Sequence, residues 1–152
     1  MNISDNITYR EATKSNTATR RGIENKPGPY ELTNMQNIAL NLFEPLRKWV
    51  GGPIKINSFY RSESLNQAIG GSSRSQHCQG RAIDLDDTFG HKTNAEMFKY
   101  IKENLSFDQL IWEFGDSENP DWVHVSYVSE DENRGRCLLA ERIDGKTKYS
   151  VI

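Results

Sequence analysis

The feature that most constrains the fold is an amphipathic stretch in the first third of the chain, which predicts a helix. Its apolar residues recur at spacings of three and four, which places them on one helix face: Met35, Ile38, Ala39, Leu42, Phe43, Leu46 and Val50. The run Gly51-Gly52-Pro53 is a strong stop signal directly after it. Because Pro45 interrupts the pattern, we expect a kink or an early end of the helix near Glu44.

Size and composition describe an ordinary globular protein. The chain has 152 residues, of which 36% are hydrophobic and 26% charged, so one domain is expected. Its net charge of -2 argues against a dedicated nucleic-acid binder, which needs a concentrated basic surface. No apolar run reaches the roughly 18–20 residues of a membrane span. Residues 1–20 show no apolar signal segment, so we expect synthesis in the cytoplasm.

The remaining elements predict an α+β fold with a largely antiparallel central sheet flanked by helices. Residues 1–29 read as an irregular N-terminal arm with a helical turn around Tyr9–Ala12, and residues 30–152 as the domain proper. Further segments are expected as strands at 54–59, 81–86, 110–114 and 122–128, and as helices at 62–69 and 93–104. The dipeptide Asp144-Gly145 predicts a C-terminal β-hairpin with a type I′ turn. Cys78 and Cys137 could pair, although two free thiols are the simpler interpretation.

The chain has three histidines, and two of them have settings typical of metal ligands. His77 ends a polar loop, and Asp84 follows on the polar face of the next strand. His124 lies on the strand face opposite Val123 and Val125, and therefore faces away from a sheet core. Two imidazoles and a carboxylate on separate elements suit a catalytic zinc, because three protein ligands leave one tetrahedral position for water. The metal lowers the pKa of that water toward about 7.

Such a site also needs a proton acceptor and a cation. Asp121, three residues before His124, is a candidate general base, and Glu113 on the preceding strand is the alternative. Arg61 is the candidate for holding a carboxylate or a developing oxyanion, because its planar guanidinium suits both. Taken singly, each of these residues is more often structural than functional, so only their combination carries the prediction.

Three segments resemble a known family. Residues 75–84 match S-x-H-x-x-G-x-A-x-D, residues 122–126 resemble W-x-H-x-S, and residues 59–62 resemble G-Y-R-S with Phe59 in place of the glycine. In this order they are similar to the zinc D-alanyl-D-alanine carboxypeptidase family, in its small phage and bacterial branch, which shares its fold with the hedgehog signalling domain. The likeness runs from about Tyr30 to Tyr127.

The resemblance implies a role for each matching position. It implies zinc on three ligands: His77, Asp84 and His124. It implies Asp121 as general base, Arg61 as a contact to the substrate carboxylate or scissile carbonyl, and Ser75 as a substrate-contacting hydroxyl. It also implies the hedgehog/DD-peptidase type of fold.

The leading functional hypothesis is zinc-dependent hydrolysis of a stem or cross-link peptide of bacterial peptidoglycan, by a monomer. The enzyme would act at the cell wall or periplasm, as a carboxypeptidase or endopeptidase, and a phage lysis enzyme (endolysin) fits this reading. The alternative is a zinc-containing, non-catalytic module of the same fold that binds peptidoglycan or protein. A purely structural zinc is disfavoured by the open fourth position.

Overall fold

The computed structural model describes residues 1–152, which form eight β-strands, six α-helices, a π-helical segment and a short 3₁₀ helix. The strands are β1 (Asn2–Ser4), β2 (Ile7–Thr8), β3 (Lys55–Ser58), β4 (Ala82–Asp86), β5 (Gln109–Glu113), β6 (Trp122–Ser126), β7 (Arg136–Ile143) and β8 (Lys146–Val151). The helices are α1 (Tyr9–Thr13), α2 (Asn16–Arg21), α3 (Pro29–Ile38), α4 (Glu44–Val50), α5 (Glu63–Ala68) and α6 (Asn94–Asn104). None of them combines the length and hydropathy that a membrane span requires.

Six strands form the central sheet, in the order β3-β4-β6-β5-β7-β8. Four of its neighbouring pairs are antiparallel, and β5 with β7 is parallel. The predicted α+β class is confirmed, with a mixed sheet. The C-terminal hairpin is also as predicted, because Asp144 and Gly145 both have positive φ, as a type I′ turn requires.

The predicted long helix does not end at Glu44, so the expectation of an early end is wrong. Instead, α3 and α4 are joined by a π-helical segment, Ala39–Phe43, and the Glu44 N–H bonds to the carbonyl of Ala39. Pro45 has no N–H to donate, and the π-type turn directly before it lets the helix continue past that position.

The N-terminal stretch is more ordered than its sequence predicts. The predicted helical turn around Tyr9–Ala12 is confirmed by α1, but the expectation that the rest of the arm is irregular is wrong, since β1, β2 and α2 also lie within residues 1–29. Ile3, Ile7 and Ala12 are buried in the main hydrophobic core. They are isolated apolar residues in a polar stretch, so no periodic pattern reveals them. The division into arm and domain at residue 29 stays a prediction.

The two faces of the central sheet differ in character. One face packs on α3, the π-helical segment, α4 and α6, through strand residues such as Ile83, Leu85, Val123 and Val125. The opposite face carries polar side chains and only a small apolar cluster of Ile111, Leu138 and Ala140. Cys78 and Cys137 are both free thiols.

Candidate metal centre

The register of the sheet brings Asp84 and His124 together on the face away from the helices. Asp84 on β4 is paired directly with His124 on β6, so their side chains are cross-strand neighbours. Asp84 Oδ1 lies 3.0 Å from His124 Nδ1. Ile111 on β5 is the partner of His124 on its other side. Two of the predicted ligands are therefore placed by ordinary antiparallel pairing.

His77 reaches the same place from the 3₁₀ helix, Gln76–Gln79. Its Nδ1 lies 2.7 Å from the carbonyl oxygen of Phe59, which can only accept, so Nδ1 carries the proton. Nε2 is therefore the free nitrogen and lies 3.3 Å from Asp84 Oδ2. The residue is 1% exposed, and Nε2 makes no hydrogen bond. Deep burial of an unpartnered imidazole nitrogen is costly and points to a missing ligand.

Gly80 ends the 3₁₀ helix and allows the chain to turn into β4. Its φ is +74°, and a Cβ at this position would lie 2.5 Å from the carbonyl oxygen of Glu31 and 2.7 Å from Met35 Cγ. Only glycine fits both the left-handed backbone and this close approach to α3. The glycine of the motif thus has a direct geometric role in placing His77 before Asp84.

The three side chains form a group that fits a metal ion, because one ligand atom from each lies within 4.8 Å of the other two. Burial lowers the pKa of His77, which keeps the ring neutral as a ligand must be. Burial works to raise the pKa of Asp84, but the adjacent His77 and His124 hold it well below its ordinary value. Two neutral imidazoles and an ionised carboxylate are donors that zinc prefers.

Glu113 faces the same cleft. It lies on β5 two residues beyond Ile111, which is paired with His124, so both strand residues point to the metal side of the sheet. Glu113 is 7% exposed and lines a cleft of about 590 Å³ together with the three candidate ligands. Burial raises the pKa of Glu113 to about 7, against the lowering effect of His124. A carboxyl group that titrates near neutrality suits proton transfer.

Arg61 and Ser75 also lie at this cleft. The Arg61 backbone N–H donates to the carbonyl of His77 at 3.2 Å, and its Nη2 donates to Ser75 Oγ at 3.4 Å. Arg61 Nε is buried without a partner. Ser75 Oγ in turn accepts from the His77 N–H. The guanidinium therefore has unused donor capacity beside the candidate ligands.

Asp121 lies elsewhere. Its side chain is exposed and lines a neighbouring depression on the loop between β5 and β6, not the cleft of the candidate ligands. Its N–H donates to the carbonyl of Glu113, which fixes the start of β6.

The cleft residues that the sequence analysis missed include Arg74, Arg136 and Tyr149. Arg136 and Tyr149 belong to the C-terminal hairpin. Their position at the cleft depends on the parallel pairing of β7 with β5, which no local sequence pattern predicts. His91, the remaining histidine, is exposed and lies outside the cleft.

The comparison with protein families agrees with this geometry. The model of the family described as Peptidase M15 matches residues 5–126, and the chain belongs to this family of zinc D-alanyl-D-alanine carboxypeptidase-like peptidases. The chain is accordingly a metallopeptidase, and the cluster of His77, Asp84 and His124 fits its metal site. A search of curated proteins finds no match to the chain.

Proposed function

We propose that the chain is a zinc peptidase that hydrolyses peptide bonds of bacterial peptidoglycan. The observation that carries the proposal is the unpartnered, buried Nε2 of His77, which converges with Asp84 and His124 at the floor of an open cleft. Membership of the M15 family supports the metal and the class of reaction.

The proposed ligand atoms are His77 Nε2, His124 Nδ1 and a carboxylate oxygen of Asp84. A zinc ion held by them would supply Lewis acidity and lower the pKa of a water molecule in the fourth position. The hydrogen bond from His77 Nδ1 to Phe59 orients that ring and fixes its tautomer, as partners of metal-bound histidines commonly do.

Glu113 is proposed as the general base in preference to Asp121. It accepts the proton of the attacking water and passes it to the leaving amine. Its support is that its carboxyl group lines the same cleft as the ligands, whereas Asp121 is exposed in the neighbouring depression. Burial of this side chain, which is 7% exposed, raises its pKa.

Arg61 and Ser75 are proposed to bind the substrate. Arg61 donates from its guanidinium to the scissile carbonyl oxygen or to a terminal carboxylate, with the Ser75 hydroxyl beside it. Both are tied to His77 through hydrogen bonds, so substrate and ligands share one rigid frame.

The proposed substrate is a stem or cross-link peptide, because these peptides carry free carboxylates and the cleft is lined by the cations Arg61, Arg74 and Arg136. Both carboxypeptidase and endopeptidase action fit a cleft that is open to solvent. A lysis enzyme encoded by a phage, acting at the wall or periplasm as a monomer, is the corresponding biological role.

The second candidate function is a zinc-containing module that binds peptidoglycan or protein without cleaving it. A cleft used only for binding gains nothing from a buried carboxyl group beside the metal ligands. Glu113 in that position therefore favours the enzyme.

The test is digestion of purified peptidoglycan by the zinc-loaded protein, with released fragments identified by mass spectrometry. We expect new amino and carboxyl termini within stem or cross-link peptides, and loss of release after zinc is chelated. Zinc binding and wall binding without any new termini would establish the binding module instead. The masses also identify the bond that is cut.

A further inference from the structure

The C-terminal hairpin is part of the cleft although it lies outside the stretch that matches the family. The matched stretch ends at Ser126, and β7 and β8 follow it. Three hairpin residues nevertheless line the cleft of the candidate ligands: Arg136, Leu138 and Tyr149. One wall of the cleft therefore comes from the part of this chain that the family model does not cover.

The sheet register places Tyr149 in line with Glu113. Glu113 on β5 is paired with Ala140 on β7, and Ala140 is paired with Tyr149 on β8, so all three point to the same face. Adjacent strands are about 4.8 Å apart, so two spacings of about 10 Å separate the backbones of Glu113 and Tyr149. Ala140, which lies between them, is fully buried, whereas Tyr149 is 58% exposed.

The electrostatics of Tyr149 agree with this placement. Partial burial raises the pKa of its phenol, and the negative charges of Glu113 and Asp84 raise it further. The phenol therefore stays protonated at neutral pH and is a hydrogen-bond donor at the cleft.

Arg136 lies on the same face at the start of β7, four residues before Ala140 and so about 13 Å along the strand. It is exposed and forms no salt bridge, in contrast to Arg134, which pairs with Asp108. Arg136 is the third arginine of a cleft whose other ionisable side chains include Asp84 and Glu113. Its exposed and unpaired guanidinium favours an anionic ligand.

We propose that the hairpin is the substrate-selecting wall of the cleft, with Arg136 binding a carboxylate of the peptide and the Tyr149 hydroxyl donating a hydrogen bond to the same peptide. The substrate class is an extended peptide with a free carboxylate about 10–15 Å from the scissile bond, a distance set by the strand spacing. This inference rests on the proposed peptidase function.

The experiment measures binding separately from cleavage. Zinc-loaded Glu113→Gln protein is titrated, by calorimetry, with a synthetic stem tetrapeptide whose carboxylates are free and with its fully amidated counterpart. Into this background are placed Arg136→Gln, Tyr149→Phe and the control Lys148→Gln, which removes a hairpin charge from the opposite face of β8.

We expect Arg136→Gln to weaken binding of the free-carboxylate peptide about tenfold and to leave the amidated peptide unchanged, since one charge-assisted hydrogen bond is lost. Tyr149→Phe should weaken both peptides several-fold, and Lys148→Gln neither. The proposal would be overturned if Arg136→Gln weakened binding of both peptides equally, or if Lys148→Gln weakened binding as much as Arg136→Gln does. It would also be overturned if neither peptide bound. If the peptides bind as expected but the zinc-loaded wild type cleaves nothing, the proposed peptidase function is wrong and the peptide-binding role of the hairpin is retained.

Discussion

Nδ1 of His77 donates to the backbone carbonyl of Phe59 over 2.7 Å, and this one hydrogen bond determines which nitrogen of His77 is free for a metal. The bond also joins the 3₁₀ helix to the end of β3. Two residues further on, the Arg61 N–H donates back to the His77 carbonyl. The end of β3 therefore positions a candidate ligand and a candidate substrate contact together.

This hydrogen bond predicts that the two histidines bind the metal through different ring nitrogens. On zinc addition, the ¹⁵N resonance of Nε2 should shift in His77, whereas that of Nδ1 should shift in His124, which faces Asp84 through that atom. Long-range ¹H–¹⁵N correlation spectra distinguish the two nitrogens of each ring. A zinc-dependent shift at His77 Nδ1 would mean that the bond to Phe59 breaks and that the proposed ligand atoms are wrong.

The choice of general base predicts unequal losses of activity. Glu113→Gln keeps the shape of the side chain but removes the proton acceptor, so kcat should fall about 10²–10⁴-fold. Asp121→Asn should change kcat by less than a few-fold, because that side chain is exposed outside the cleft. Steady-state kinetics on one defined peptide compare the two matched variants. A larger loss of kcat in Asp121→Asn than in Glu113→Gln would identify Asp121 as the base.

Glu113 also predicts a pH-dependent change in stability of the metal-free protein. Its carboxyl pKa rises from 4.5 to about 7 on folding, so at pH values between them the folded protein holds a proton that the unfolded chain releases. This contribution to stability is complete below pH 4.5 and is lost as the pH rises through 7. Removing the carboxylate with Glu113→Gln should therefore stabilise the protein at pH 8, by on the order of 3 kcal/mol, and not at pH 4.5.

Thermal unfolding in the presence of a chelator measures this effect, with Asp121→Asn as the control that should show no gain. Added zinc should reduce the gain at pH 8, because a nearby cation favours the ionised form of Glu113. An equal gain at both pH values would show that packing, not charge, causes it.

Asn25 predicts a link from the N-terminal stretch to the cleft. Its Nδ2 donates to the carbonyls of Thr13 and Tyr60, and its Oδ1 accepts from the Ser62 N–H, so it holds the backbone on both sides of Arg61. Asn25→Ala should cost about 1–3 kcal/mol of stability and raise KM through Arg61. Asn41→Ala, which removes one exposed local bond, is the control. Unchanged KM in Asn25→Ala would limit Asn25 to a structural role.

Much of this fold could be predicted from short sequence patterns, because the interactions behind them join residues close together in the chain. The helices expected at 62–69 and 93–104 are confirmed, with Ser62 as the cap of α5 and Thr93 with Glu96 as the capping box of α6. Alternation along β6 also correctly placed His124 opposite the buried Val123 and Val125. Caps and strand alternation depend on neighbours a few residues apart, so a single sequence is enough to read them.

Features that depend on distant pairing could not be read in the same way. The proximity of Tyr149 to Glu113 requires the parallel pairing of β5 with β7, and the burial of Ile7 requires the core that covers it. The spacing of Asp121 from His124 suggests a general base, and the choice between Asp121 and Glu113 stays a prediction. The assignment of the three ligands stays a prediction until metal is measured.

The most direct test is the zinc content of purified protein by elemental analysis, for the wild type and for His77→Ala, Asp84→Ala and His124→Ala, with His91→Ala as the matched control. Our account predicts about one zinc per chain in the wild type and in His91→Ala, and far less than one in each of the other three. Full zinc content in any of those three variants, or none in the wild type after refolding with zinc, would contradict it.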